Sequence, residues 1–185
     1  MRLNLNPRSR RDTYGSRINR DHSPLLAYAI PPLTIMIASL LPTLPVAVVM
    51  PLVPPLGFLM LLAWRIVRPG LLPVWAGFPL GLFDDLFSGQ PFGCAIVLWS
   101  LAMLAMELLE TRFPWRGFLQ DWATVTLITT IYLLASAAFS GATLTAPLLA
   151  GMAPQWLVSV IVFPLIAQLV AWLDRFRLLR VKVIG

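Results

Sequence analysis

Between Trp122 and Leu173 the chain runs for 52 residues without one Asp, Glu, Lys or Arg, and between His22 and Trp64 it runs for 43 residues in the same way. Neither stretch can alternate core with solvated surface, and each is long enough for two membrane helices of about 20 residues. Composition agrees. Hydrophobic residues make up 58% of the chain and charged residues 12%, half of the roughly 25% that soluble domains carry. A water-soluble globular enzyme is excluded on this ground. The single cysteine, Cys94, leaves no route to an internal disulfide, a zinc cluster or a redox pair.

The charges and turn residues divide the apolar sequence into segments. Six Arg and two Asp crowd residues 1–23, which reads as a flexible basic tail. A turn at Leu41-Pro42-Thr43-Leu44-Pro45 separates spans at about 25–41 and 46–64. Arg65, Arg68 and Pro69-Gly70 form a polar break before a third span at 71–87, which Ser88-Gly89-Gln90-Pro91 closes. Further spans fit 92–109, 121–139 and 155–173, with a Gly-, Thr-, Ala- and Pro-rich connection from 140 to 154 and a basic tail over 175–185. The expected architecture is an all-α integral membrane protein, a compact six-helix bundle over 24–174. All 14 basic residues fall in the two tails and in the segments 65–70 and 110–120, none in the three opposite connections. The positive-inside rule then places both termini in the cytoplasm. It also explains the net charge of +6 through topology and anionic lipid, with no nucleic acid as partner.

Few polar residues remain inside the spans. A helix entering at Leu71 carries Asp85 roughly 21 Å along a core about 30 Å thick. A carboxylate there must face the bundle interior, find a donor or take up a proton, which makes Asp84 and Asp85 candidate functional residues. One alternative has one Asp bonded to the Gly89-Gln90 turn and the other meeting water. Glu107 and Glu110 share a helix face near Arg112 and Arg116 and read as an interfacial charge cluster. His22 has no second ligand at metal spacing. Trp64, Trp75, Trp115, Trp122 and Trp172 read as an aromatic belt. Pro31, Pro32, Pro51, Pro54, Pro55, Pro79 and Pro164 fall inside expected spans, where they kink helices.

The run from Phe78 to Gly93, FPLGLFDDLFSGQPFG, places Gly81, Asp85, Gly89 and Gly93 at steps of four. This pattern resembles the signature of the bacterial rod shape-determining MreD family, with Asp85 rather than Asp84 at the acidic position. Size, six-span topology and the basic N-terminal tail are similar too, whereas the proline-rich second span and long Arg-rich tail depart from the family. The resemblance implies a non-enzymatic scaffold subunit of the cell-elongation complex in the bacterial inner membrane. It would associate with the single-span protein MreC and through it with MreB, RodA and a penicillin-binding transpeptidase. It implies no cofactor, no metal, no catalytic residue and no small-molecule substrate. It also implies a fold like that of the substrate-binding subunits of energy-coupling-factor transporters. Gly81, Asp84, Asp85, Gly89 and Gly93 form the expected structural and partner-binding motif. Gly81 would admit a neighbouring helix, Gly89 would make a tight turn, and Asp85 would either accept hydrogen bonds from the start of the fourth helix or present a charge to a partner.

Two other classes fit less well. A substrate-binding subunit of an energy-coupling-factor transporter would show alanines at spacing four on the first helix, and Ala27, Ala29 and Ala38 lack it. An intramembrane aspartyl protease needs carboxylates from two helices at one depth, whereas Asp84 and Asp85 are adjacent and Glu107, Glu110 and Asp121 fall at the other face.

Overall fold

The computed structural model describes residues 20–22, 24–43, 53–112, 117–143, 145–177 and 180–182. The basic residues 1–19, Pro51, Trp115 and Arg116 therefore lie outside the described residues. Among the described residues six α-helices make the architecture: α1 (Pro24–Leu40), α2 (Leu56–Val67), α3 (Gly77–Phe87), α4 (Cys94–Arg112), α5 (Phe118–Phe139) and α6 (Ala146–Arg177). Short 3₁₀ turns at Leu41–Thr43 and Val74–Ala76 follow α1 and precede α3.

The middle of the bundle is α2. It is apolar on all sides, as a core helix must be, and every residue from Gly57 to Arg65 is buried. Helices α1 and α6 pack on it, α3 lies along α4, and α5 packs on α6. Trp64, Trp99, Phe58, Phe163 and Tyr132 are the aromatic side chains of the common core.

Helices α4, α5 and α6 are long and apolar enough to cross a membrane, yet only 39%, 28% and 22% of their apolar windows are buried within the protein. Leu101, Leu108, Ile131, Ile161 and Leu165 point outward instead. A surface of that kind is stable against lipid tails and not against water, so the chain is a multi-pass membrane protein. With 12 and 11 residues, α2 and α3 each rise less than about 20 Å, short of a core about 30 Å thick.

Several sequence expectations need correction. The helix within the expected third span begins at Gly77 rather than 71, because Gly70 turns with φ 79° and Pro73 is extended with ψ 152° before the 3₁₀ turn. Asp85 is consequently about 12 Å from the start of its helix. The connection expected over 140–154 is helix from Ala146 onward. Pro147 sits in the first turn, where a missing N–H costs nothing, and Pro154 is accommodated within the helix. At 32 residues α6 rises about 48 Å and exceeds the core thickness. Pro54 and Pro55 lead into α2 and Pro79 lies in the first turn of α3, so these three do not interrupt helices; Pro31, Pro32 and Pro164 do lie inside them.

The tails are not wholly unpaired. Arg20–His22 (β1) and Arg180–Lys182 (β2) form a two-stranded antiparallel ribbon, with Asp21 opposite Val181. The start of α1 and the end of α6 lie on one side of the bundle, so the two backbones emerge together and satisfy each other's N–H and C=O groups.

Candidate functional site

Consecutive helical residues point about 100° apart, and Asp84 and Asp85 consequently face different neighbours. Both are buried.

Asp85 faces the first turn of α4. Its Oδ1 accepts the Ala95 N–H at 2.8 Å, and its Oδ2 accepts those of Gly93 and Ile96 at 3.0 and 3.1 Å. The Cys94 N–H goes to the Pro91 carbonyl, and the Val97 N–H closes the first intrahelical bond to Gly93. Every backbone donor at this helix start is thus satisfied, three of them by one carboxylate from the preceding helix. That is the work of an N-cap. The negative charge also sits at the positive end of the α4 dipole. The carboxylate engages backbone at both oxygens, which makes it a fastener of the α3–α4 hairpin.

The glycines make this geometry possible in two ways. Gly89 and Gly93 turn the chain with φ of 70° and 95°, a region that side chains with Cβ avoid. Gly81 lets α4 come close: a Cβ built there would lie 2.6 Å from the Ala95 carbonyl oxygen. Gly77, one turn earlier, meets α4 in the same manner, 2.8 Å from the Trp99 carbonyl oxygen. The motif residues Gly81, Asp85, Gly89 and Gly93 therefore converge on one hairpin. Gly77 was missed, although the same step of four points to it.

Asp84 faces the other way, toward α1, α2 and α5. It lines a cavity of about 140 Å³ with Ser39, Gln90, Trp99, Tyr132 and Gln155. No sequence pattern singled out those five.

At the opposite end of α2 lies a charge cluster that the sequence reading misplaced. Arg65 is not in a polar break; it belongs to α2 and is 1% exposed. Its guanidinium binds Glu110 in a two-pronged fashion, Nε to Oε1 at 2.9 Å and Nη2 to Oε2 at 2.9 Å, and also pairs with Glu107. Nη1 donates to the Leu72 carbonyl at 2.8 Å. Glu107 and Glu110 therefore answer a buried Arg on another helix rather than Arg112 alone. Beside them Asp174 accepts from Arg68 and Arg177, each at 2.7 Å, and the Arg177 guanidinium lies 5.8 Å over the Trp64 ring. Trp64 is accordingly a core residue, its indole donating to Thr34 Oγ1 at 2.9 Å, whereas Trp75 and Trp172 are exposed as belt residues are. Among the described residues no group of His, Cys, Asp and Glu could hold a metal ion.

A model of the rod shape-determining protein MreD family matches residues 23–176. The chain belongs to the MreD family. Its members are non-enzymatic membrane proteins that act in rod-shape determination and associate with the cell-elongation complex. No curated protein and no solved structure matches the chain. The match contains the whole α3–α4 hairpin, the Arg65, Glu107 and Glu110 cluster and the Arg68–Asp174 pair, and it ends one residue before Arg177.

For this MreD-family hairpin the Asp85 geometry makes a direct prediction. Asp85→Asn keeps one acceptor oxygen but turns an NH2 group toward at least one backbone N–H. The cost is about 1–3 kcal/mol for the donors left unsatisfied, read as a fall of several degrees in the thermal midpoint of the purified protein. Asp84→Asn removes no backbone acceptor and is expected to cost less.

Proposed function

We propose that this chain is a scaffold of the elongation complex, with both termini in the cytoplasm. In this reading it holds MreC in the membrane and through it helps couple MreB to RodA and a penicillin-binding transpeptidase during lateral wall growth. The single observation that carries the reading is the family match over residues 23–176. The physical character of the chain is in accord with it. An apolar bundle whose Arg65, Arg68 and Arg177 are paired with Glu107, Glu110 and Asp174 offers packing surface to partner helices.

The Gly81, Asp84, Asp85, Gly89 and Gly93 motif is proposed to shape the surface that MreC meets, with Asp85 acting through the hairpin rather than by direct contact. Crosslinking in cells, followed by affinity purification of the tagged protein and mass spectrometry, tests both parts. MreC and the elongation synthases are expected among the recovered proteins, and Asp85→Asn is expected to lower their yield in step with its loss of stability. Recovery of transporter ATPases and a coupling subunit in their place would reverse the conclusion and favour an energy-coupling-factor substrate-binding bundle.

A further inference from the structure

The cavity beside Asp84 is unlike the rest of this bundle. It lies where α1 ends and α2 begins, at the end of α2 away from the Arg65 cluster, and no Lys, Arg or His is among its lining residues. A buried carboxylate at membrane depth needs hydrogen-bond donors, as Asp85 has, or a proton or a cation. Arg65, Arg68 and Arg177 are all engaged with carboxylates at the far end of α2.

The other polar atoms of the cavity describe what would fit. Ser39 and Trp99 are 3% and 0% exposed; the Ser39 hydroxyl lies beside Asp84 and the Trp99 indole beside Tyr132, while the buried Gln90 Oε1 makes no hydrogen bond. The Gln90 amide nitrogen donates to the Tyr132 hydroxyl at 3.2 Å, which leaves that hydroxyl its own hydrogen to give. Of the lining side chains, Asp84, Gln90, Gln155, Ser39 and Ser88 can accept hydrogen bonds, and Trp99 and Tyr132 are among those that can donate. With Asp84 as one partner, these acceptors can take up the three N–H groups of a primary ammonium. The two donors match an oxygen close to it. Phe58, stacked on Tyr132 at 4.2 Å and tilted against Trp99 at 6.0 Å, completes an aromatic wall of the kind that attracts cations. A cavity of about 150 Å³ takes a molecule the size of benzene, so a primary amino alcohol fits.

We propose that this cavity binds a primary ammonium group of the ethanolamine type, with Asp84 as its counter-ion. The group can come from a free amine or from the headgroup of a phosphatidylethanolamine lipid. The inference does not rest on the scaffold reading.

The test uses the full chain in phosphatidylcholine nanodiscs. Its single buried cysteine, Cys94, reports unfolding through a thiol-reactive fluorogenic dye. Ethanolamine hydrochloride is expected to raise the thermal midpoint saturably, by about 3–6 °C at ten times its half-saturating concentration. Choline chloride and sodium chloride at equal ionic strength are expected to give no saturable rise. If the source is the lipid headgroup, the rise appears instead when phosphatidylethanolamine replaces half of the phosphatidylcholine. Asp84→Asn should abolish the rise from either source, and Gln90→Leu, at a half-buried position, gives the same readout should the first variant fail to fold. The proposal is overturned by no saturable rise from either source, by an equal rise with choline or sodium, or by a rise that survives both substitutions.

Discussion

Replacing Arg65 by methionine should destabilise the protein by about 3 kcal/mol, the cost of unmaking the charge-assisted hydrogen bonds of a buried guanidinium to a half-exposed Glu107, to Glu110 and to the Leu72 carbonyl, and lower its thermal midpoint by on the order of 10 °C. The guanidinium binds both Glu107 and Glu110, and it also satisfies the Leu72 carbonyl that leads into the third helix. Removing it leaves two carboxylates on one helix face and a buried carbonyl without its donor. Methionine fills similar volume, so packing loss is a minor part of the effect. The prediction has an internal control. Combining Arg65→Met with Glu107→Gln and Glu110→Gln removes the uncompensated charge, and most of the lost stability should return. If the triple variant is no more stable than Arg65→Met, the loss is one of packing and the electrostatic account fails.

That cluster also marks where sequence reasoning stopped. An Arg after a long apolar run reads as the end of a span, and here it is the last buried turn of the central helix. Its partners lie 42 and 45 residues away, and nothing local distinguishes an Arg that will be neutralised from one that will be solvated. The Asp84 cavity was illegible for a related reason. Ser39, Trp99 and Tyr132 come from three helices whose apolar residues surround the axis, so the rotational phase that aims each side chain cannot be taken from periodicity. The hairpin was different. Glycines and an acid at steps of four put the close approach, the capping carboxylate and the turn within one short segment, so local spacing carried most of the geometry. The helical class was legible from the uncharged runs alone, while boundaries failed at Pro73 and Ala146, where proline and alanine chemistry shifted the helix starts.

Gly81→Val should cost about 3 kcal/mol or more and should do so by undoing the work of Asp85. The atoms that a Cβ at Gly81 would meet are the Ala95 oxygen at 2.6 Å, the Ala95 carbonyl carbon at 2.8 Å and the Ile96 Cα at 2.9 Å. All are backbone, so no side-chain rotation relieves the clash and the two helices must separate. Ala95 and Ile96 are also two of the three residues whose N–H groups Asp85 holds. Close approach and capping are therefore one interaction seen from two residues. The milder Gly81→Ala makes the coupling measurable, since its clash is smaller and the fold should survive. In a double-mutant cycle with Asp85→Asn the two losses should fall short of additivity by about 0.5–3 kcal/mol, because each variant has already weakened what the other removes. Strict additivity would mean that α4 keeps its place when Gly81 is changed, and that Asp85 fastens the hairpin independently of how closely the helices pack. Gly89→Ala supplies the contrast. Its cost of about 1–2 kcal/mol comes from a positive φ, no atom lies within reach of the new Cβ, and with the helix contact intact it should add to Asp85→Asn without coupling.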